Sequence, residues 1–251
     1  DGPASSSALA PRAAYLSKVT PFKFQANGIA RSLGKPQPYD LTRGPARAPA
    51  DGSAILLPNL NAAPRAPQPA QAGPVPRAFA MLGEMGTGKS KILIDAFGEM
   101  WCANQIDAVL IASPKGVHSQ WIEEQIPEHL GAMVPWQGAV VNGKREIPNW
   151  QPGKLHVMSV NIDYLRLTHG FDNCMSFIRQ HPGRVMMIID ESHDIKNFTS
   201  KRTENAVALG RQCAYRRIAT GTPIALNLID AFSQFYFLDD NIFGMHYIVS
   251  F

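Results

Sequence analysis

The fold follows from one glycine-rich stretch, Gly83-Glu84-Met85-Gly86-Thr87-Gly88-Lys89-Ser90. It matches the phosphate-binding pattern G-x-x-x-x-G-K-[ST] at every fixed position. The apolar run Ala78 to Leu82 before it is typical of a short buried strand, and Lys91 to Cys102 after it has the apolar spacing of a helix. A glycine-rich turn between strand and helix directs backbone N–H groups at a phosphate. An ordinary strand-to-helix turn is the alternative, and the complete, correctly flanked motif disfavours it.

The fixed side chains of this loop predict its ligands. Lys89 is expected to reach the β- and γ-phosphates of a nucleotide, and the Ser90 hydroxyl is expected to hold Mg²⁺. The backbone of the remaining residues of the stretch, Gly83 to Gly88, is expected to surround the phosphates. The sequence therefore predicts ATP and Mg²⁺ as ligands.

A pair of acidic residues provides a second part of the candidate site. Asp190 and Glu191 directly follow Val185 to Ile189, an apolar run that predicts a buried strand. Asp190 is expected to hold the Mg²⁺ shell, partly through water. Glu191 is expected to orient and deprotonate the attacking water. An Asp-Glu pair alone is most often a solvated turn, but a complete phosphate loop upstream favours the catalytic interpretation, with Lys89, Asp190 and Glu191 as catalytic residues.

Three further polar residues are candidates for coupling the site to the rest of the molecule. His193 can form hydrogen bonds beside the acidic pair, or it can be an ordinary histidine at the end of a strand. Thr220 and Thr222 end the next predicted strand, where their hydroxyls are expected beside Asp190 and Glu191. The alternative for these threonines is a Thr-Pro turn that begins a helix.

The remaining pattern alternates strands and helices. Further strands are predicted at 107–112, 139–141, 156–160, 184–190 and 217–220, with helices at 117–126 and 224–238. Continuous apolar strands that alternate with amphipathic helices predict an α/β fold with a mostly parallel sheet covered on both faces. The functional edge of such a sheet lies at the carboxyl ends of its strands.

The N-terminal third differs from the rest in composition and charge. We predict a disordered segment at 1–18, a short helix within 19–34 that carries Gln25, a Pro/Ala-rich insertion or linker at 35–76 and the nucleotide-binding lobe at 77–251. Residues 1–80 hold nine Lys and Arg against three Asp, so the positive charge is concentrated there. A basic arm can follow a phosphate backbone, or it can be a solvated linker.

Composition limits the cellular compartments in which we expect this protein. The three cysteines are odd in number and widely spaced, which argues against a disulfide framework or a zinc site. The longest apolar runs have the length of strands, and the sequence begins without a basic and then apolar leader, so we expect no membrane partner. We therefore expect a cytoplasmic or nucleoid-associated protein that is not secreted.

Several motifs, taken in order, resemble the first motor lobe of superfamily-two helicases. They are Phe24-Gln25, the phosphate loop, Ser113-Pro114-Lys115 with Trp121, Asp190 to His193 and Thr220 to Pro223. Two longer stretches are similar to the Swi/Snf-type DNA translocases. One is Asp190 to Asn197, which fits "DE.H.IKN", and the other is Thr220 to Ile224 with Asn227-Leu228 and Phe243-Gly244, which fits "TGTPI.N.L…FG".

The resemblance implies a RecA-like, nucleic-acid-stimulated ATPase lobe whose relatives move along double-stranded DNA. It also implies that Gln25 reads adenine and that Lys115, Ser159 and Tyr164 lie at the DNA backbone. Lys196 and Lys201, on expected strand-end loops, would support phosphate contacts, or each can be part of a solvated face.

The sequence departs from the family pattern at a few points. Ser192 stands where relatives usually carry Ala or Gly, and an unusually long insertion separates Gln25 from the phosphate loop. Relatives have a second RecA-like lobe with arginines that complete the ATP site, so we expect such a lobe in cis or in trans and weak activity of this chain alone. Arg216 and Arg217, expected just before a first-lobe strand, are poor substitutes.

Three other functions fit part of the pattern. Another superfamily-two motor, such as an RNA helicase or a restriction-system motor, shares the core motifs, although Ile195-Lys196-Asn197 argues against it. An ATP-dependent binding module without hydrolysis is a second alternative. A phosphate-loop kinase is a third, and it leaves Thr220 to Pro223 unexplained.

Overall fold

The computed structural model describes residues 75–141, 149–222 and 229–242, and these residues form a six-stranded sheet in which every pairing is parallel. The spatial order of the strands is β1-β6-β5-β2-β4-β3. In chain order the strands are β1 (Ala78–Leu82), β2 (Ala108–Ser113), β3 (Trp136–Val141), β4 (Leu155–Asn161), β5 (Val185–Asp190) and β6 (Tyr215–Thr220).

Helices connect the strands. They are α1 (Lys89–Cys102), α2 (Val117–Gln120), α3 (Ile126–His129), α4 (Thr168–Arg179), α5 (Lys201–Gln212) and α6 (Ile229–Leu238). A π-helical turn, Trp121–Gln125, joins α2 to α3, and 3₁₀ turns at Ile162–Arg166 and Ser192–Ile195 follow β4 and β5. None of the helices in the described part of the chain has both the length and the apolar character needed to cross a bilayer.

The core has two halves, one on each face of the sheet, and β5 contributes to both. Met186 and Ile188 pack in the half that α1 and Trp121 cover. Val185, Met187 and Ile189 pack in the other half, against α4, α5 and α6. Because side chains alternate along a strand, a fully apolar strand is stable only where both faces are covered. This arrangement confirms the predicted α/β class.

The predicted strands are all present, with ends that differ by at most three residues. The helix predicted at 117–126 continues to His129 and is interrupted by the π-turn. Pro127 explains the interruption, because proline has no N–H to donate and its ring crowds the preceding turn. Helices α4 and α5 have no counterpart among the helices predicted from the sequence. The start of the helix predicted at 224–238 lies outside the described residues, which begin this helix at Ile229.

Gly170 lies where α4 crosses the 3₁₀ turn after β4, and a side chain there would overlap the backbone carbonyl of Tyr164. We expect Gly170→Ala to lower the free energy of unfolding by about 1–3 kcal/mol, because a rigid backbone group would have to move. Chemical denaturation measures the change. Ser176→Ala, at an exposed position of the same helix, is the control and should change stability little. Equal stability of both variants would show that this crossing is loosely packed.

A histidine pair lies at the opposite edge of the sheet from the phosphate loop. Nε2 of His156 lies 2.7 Å from the carbonyl oxygen of Gln151, and Nδ1 of His181 lies 2.9 Å from that of Phe177. Nδ1 of His156 and Nε2 of His181 face each other at 2.7 Å. The two rings are therefore close enough for a positive charge on one to repel a positive charge on the other.

We expect the protein to lose stability as pH falls below about 6.5, the ordinary pKa of histidine. Burial lowers the pKa of His181, the charge of His156 lowers it further, and the Phe177 carbonyl and Asp107 oppose the shift. The unfolded chain therefore binds a proton that His181 resists in the folded protein. This contribution to stability is fully present above the unfolded pKa and is lost as the pH falls toward the lower folded pKa. Denaturation at several pH values measures this. His181→Gln should flatten the dependence, whereas the exposed His169→Gln should leave it unchanged; the reverse pattern would contradict the assignment.

Candidate nucleotide-binding and hydrolysis site

The sheet order brings four of the predicted motifs to one edge. The phosphate loop follows β1, the Thr220 segment ends β6, the acidic pair ends β5 and the Lys115 turn follows β2. These four strands are consecutive neighbours in space although they are not consecutive in the chain. The first two motifs are joined directly, because the N–H of Gly83 donates to the carbonyl of Thr220 over 3.2 Å.

The phosphate loop is shaped by glycines in the left-handed region. Gly86 has φ +78° and Gly88 has φ +75°, and a side chain at either position would strain the backbone. Thr87 closes the turn through its hydroxyl, which donates to the carbonyl of Glu84 over 2.8 Å. The Lys89 ammonium lies over the loop and donates to the carbonyls of Gly83 and Glu84 at 2.9 and 3.0 Å. The loop thus holds its cation above the turn.

The N-terminus of α1 opens onto the same loop. Its N-cap is Gly88, which supplies no side chain to bind the first backbone N–H groups, and the first turn carries no acidic residue. Exposed N–H groups and the positive end of the helix dipole attract an anion at this position. The arrangement suits a phosphate group, as the motif predicts.

Asp190 is held in a buried environment at the end of β5, where 8% of the residue is exposed. Its Oδ2 accepts a hydrogen bond from Nε1–H of Trp121 at 3.0 Å, and its Oδ1 accepts one from the Glu191 N–H at 3.1 Å. Burial raises the pKa of the Asp190 carboxyl above its ordinary value, and the Trp121 N–H and the Lys89 ammonium oppose that shift. The Lys89 ammonium thus lies close enough to favour the charged form of the Asp190 carboxyl.

Glu191 has a backbone conformation that is uncommon for a residue with a side chain, with φ +51° and ψ +58°. Such a conformation costs about 1–3 kcal/mol and is found most often at functional sites. Its Oε2 lies 3.2 Å from Nδ1 of His193 and accepts the Thr220 hydroxyl at 3.3 Å. His193 also lies 3.3 Å from the Thr220 hydroxyl, so the three side chains form one cluster.

The oxygen atoms available as ligands at this edge suit Mg²⁺, which prefers oxygen ligands and retains waters. The Asp190 carboxylate has one donor on each oxygen, which leaves lone pairs on both oxygens for a cation or its waters. Ser90 lies in the first turn of α1 and has a hydroxyl of the required type. Within the described residues no three or more His, Cys, Asp or Glu lie close enough together to hold a metal ion.

Some predicted site residues are placed differently from expectation or lie outside the structure. Thr222 is exposed, and only its backbone N–H contacts the cluster, donating to the Thr220 hydroxyl at 3.1 Å. Glu84 and Met85 are exposed at the tip of the loop. Gln25 lies outside the described residues, and so do Phe24, Pro223, Ile224, Asn227, Leu228, Phe243 and Gly244.

The candidate nucleic-acid residues divide into exposed and buried sets. Lys115 is exposed on the turn after β2, as expected. Ser159 is fully buried and donates to the carbonyl of His118 at 2.6 Å. Tyr164 is 5% exposed, and its hydroxyl accepts from Asn173 at 2.8 Å. Both side chains are enclosed and bonded internally, and the expectation that Ser159 and Tyr164 lie at a DNA backbone stays a prediction.

Three basic residues also need correction. Lys201 is the first residue of α5 rather than part of a strand-end loop, and it pairs with Glu204 at 3.2 Å. Arg216 and Arg217 lie within β6 rather than before it. Arg217 is fully buried and donates to the carbonyls of Pro76 and Arg77, so it cannot reach a nucleotide.

Two contacts of the acidic segment were not predicted from the sequence. Trp121 was expected on an apolar helix face and in a family motif, and its hydrogen bond to Asp190 was not expected. Ser192 was noted only as a departure from the family pattern, whereas its hydroxyl donates to Oε1 of Gln234 in α6 at 2.6 Å. Both contacts join residues far apart in the chain, so no local sequence pattern predicts them.

A parallel sheet with a phosphate loop after its first strand and an acidic pair after a central strand defines a RecA-like nucleotide-binding lobe. The model of the SNF2-related domain matches residues 75–248, and the chain belongs to that family. The Swi/Snf-type resemblance and the fold class are thereby confirmed.

The chain is similar to several characterised members. It is 28% identical over 158 residues to Helicase SWR1 of Cryptococcus neoformans, which covers 62% of this chain and 12% of that protein. It is 28% identical over 174 residues to the DNA repair and recombination protein RAD54-like of Danio rerio, covering 65% and 23%. The solved structure of the Sulfolobus solfataricus SWI2/SNF2 ATPase core in complex with dsDNA superposes with a TM-score of 0.54 at 23% identity, covering 67% of this chain and 33% of that one. The chain therefore spans less than a quarter of the length of Helicase SWR1 and of the RAD54-like protein, and about a third of the solved core.

Proposed function

We propose that this lobe binds Mg²⁺-ATP and hydrolyses it to ADP and phosphate, and that hydrolysis is coupled to movement on double-stranded DNA. The observation that carries the proposal is the convergence of Lys89, Asp190 and Glu191 at one edge of the sheet. Membership of the SNF2-related domain family supports the same assignment.

The side chains have separate tasks in this proposal. The loop N–H groups, the α1 N-terminus and Lys89 bind and orient the phosphates, where negative charge grows as the γ-phosphoryl group leaves. Mg²⁺, held by Ser90 and Asp190, supplies charge neutralisation at the phosphate oxygens when it is bound.

Glu191 acts on the attacking water. Its carboxylate accepts the hydrogen bond of that water, directs a lone pair of the water oxygen at the γ-phosphorus and takes the proton. Thr220 and His193 hold the carboxylate through Oε2, which leaves Oε1 for the water. Thr220 ends β6, and its carbonyl accepts the N–H of Gly83. A movement of the phosphate loop would therefore be transmitted through Thr220 to the Glu191 carboxylate.

Double-stranded DNA is the proposed partner, and the turn at Lys115 is its proposed contact. The turn lies at the same edge as the nucleotide site, and Gly116 has φ +90°, so the backbone bends sharply and leaves Lys115 exposed. The Sulfolobus solfataricus core was solved in complex with dsDNA, which favours duplex DNA for this chain also. Such contacts are made to phosphate and carry no sequence information.

Completion of the ATP site requires a positive group from elsewhere. Arg217 is excluded by its burial, so the proposed source is a second RecA-like lobe, in cis or in trans, as in relatives of which this chain covers a small share. We propose that Gln25 contributes to adenine binding, as the family resemblance implies.

The experiment that tests the partner is ATP turnover in the presence of duplex DNA, single-stranded DNA or duplex RNA of equal length. We expect duplex DNA to raise turnover most. Lys115→Ala should weaken duplex binding and reduce the salt slope by about one. Lys154→Ala is the matched control, because Lys154 precedes β4 at the opposite edge of the sheet. Stimulation by RNA alone would support another superfamily-two motor, and equal effects of the two variants would move the nucleic-acid contact elsewhere.

A further inference from the structure

Trp121 and Asp190 are joined by a hydrogen bond between buried side chains from distant parts of the chain. Nε1–H of Trp121 donates to Oδ2 of Asp190 over 3.0 Å. Trp121 is 1% exposed and Asp190 is 8% exposed. A hydrogen bond to a carboxylate is strong and directional where little water competes for either partner.

The register of β5 explains why these two side chains meet. Met186, Ile188 and Asp190 alternate onto one face of the sheet, and the first two pack in the core half that contains Trp121. The last residue of this alternation is therefore directed toward the indole. An apolar residue at position 190 would simply extend the core, whereas the carboxylate needs a donor there.

The indole itself is fixed in place. It begins the π-turn Trp121–Gln125, a rare element that often accompanies functional sites. The preceding α2 is tied to β4, because the Ser159 hydroxyl donates to the carbonyl of His118 at 2.6 Å. The Trp121 N–H thus comes from a rigid support and not from a mobile surface side chain.

The two hydrogen bonds on the carboxylate set its orientation. Oδ2 is held by Trp121, and Oδ1 is held by the N–H of Glu191 at 3.1 Å. The hydrogen bond from the Glu191 N–H fixes only Oδ1 of Asp190. Without Trp121 the carboxylate plane would therefore be free to rotate about that oxygen. Each oxygen keeps a lone pair for further binding.

We infer that Trp121 is a positioning residue for the nucleotide site, whose indole N–H fixes the Asp190 carboxylate in the orientation that receives the Mg²⁺ shell of the bound nucleotide. This rests on the proposed function, since it assumes that Asp190 serves Mg²⁺-nucleotide binding. It assigns to Trp121 a role in metal-dependent binding that its apolar helical position does not suggest.

The test compares Trp121→Phe with Trp101→Phe. Both remove an indole from the same core half, and Trp101 is 4% exposed and lies near the end of α1, away from the loop. The affinity for fluorescent ADP is measured with Mg²⁺ and with a chelator. We expect the Mg²⁺-dependent gain in affinity to fall about tenfold in Trp121→Phe and to stay unchanged in Trp101→Phe. The affinity without Mg²⁺ should be equal in all three proteins.

A spectroscopic measurement provides an independent readout on the unmodified protein. The chain has four tryptophans, so its ¹H–¹⁵N spectrum contains four indole signals, and the signal lost in Trp121→Phe identifies Trp121. Addition of Mg²⁺-ADP should shift this signal strongly and the Trp101 signal weakly, because the Trp121 N–H is bonded to a group that receives the cation shell.

The outcomes separate the inference from the proposed function. If Trp121→Phe unfolds at the same temperature as Trp101→Phe and keeps the wild-type Mg²⁺ dependence, the inference is overturned while the nucleotide site stands. A static Trp121 signal on addition of Mg²⁺-ADP also overturns it. If the wild-type protein itself binds nucleotide without any Mg²⁺ dependence, the proposed function fails and the inference fails with it.

Discussion

Glu191→Gln should reduce ATP hydrolysis by about 10²–10⁴-fold while nucleotide binding is retained, because an amide accepts a hydrogen bond but does not take the proton of the attacking water. The substitution preserves size, and the amide can still accept the Thr220 hydroxyl, which now donates to Oε2 over 3.3 Å. Hydrolysis is measured as the single-turnover rate with protein in excess over ATP.

The matched control is Glu204→Gln, which changes an exposed glutamate of α5 that pairs only with Lys201 among the ion pairs of the described residues. Its rate should equal that of the wild-type protein. A Glu191→Gln protein that binds ATP and hydrolyses it at the wild-type rate would exclude Glu191 as the general base. The base would then have to be sought among other groups at the sheet edge.

Lys89→Ala should abolish both tight nucleotide binding and turnover, with a loss in rate of about 10²–10³-fold or more. The ammonium lies over the loop, within 3.0 Å of two of its carbonyl oxygens. In the proposed mechanism Lys89 contacts the phosphates in the ground state and in the transition state, so its loss weakens both.

Lys201→Ala is the control for this second variant, because it removes an exposed lysine whose partner is Glu204. Affinity for ATP, measured by calorimetry, should be unchanged in the control and lost in Lys89→Ala. Retained binding in Lys89→Ala would mean that the loop does not hold the phosphates, although its sequence fits the motif at every fixed position.

The strands and the motif positions were accessible from sequence because their signals are local. A run such as Val185 to Ile189, apolar on both faces, has few stable settings besides a covered central strand. The glycines at 86 and 88 occupy left-handed conformations as a phosphate loop requires. Parallel pairing then brings the strand ends together without further information.

The interior contacts were not accessible from sequence because they depend on side-chain register between distant elements. Ser159 is the clearest case, since its place in a motif favoured contact with DNA, whereas the alternation of β4 places its hydroxyl in the core beneath His118. Trp121 is the opposite case: its apolar spacing explains its burial and conceals its bond to Asp190. Helix α5 was missed because polar residues dominate its sequence.

We propose above all that the phosphate loop and the acidic pair form one Mg²⁺-ATP site. The direct measurement is equilibrium binding of ATP, with and without Mg²⁺, to Glu191→Gln and to the double variant Glu191→Gln, Asp190→Asn. We expect one nucleotide per chain, bound more tightly with Mg²⁺ in the first protein and without that gain in the second. An equal Mg²⁺ dependence in both proteins would place the cation away from Asp190 and would contradict the shared site.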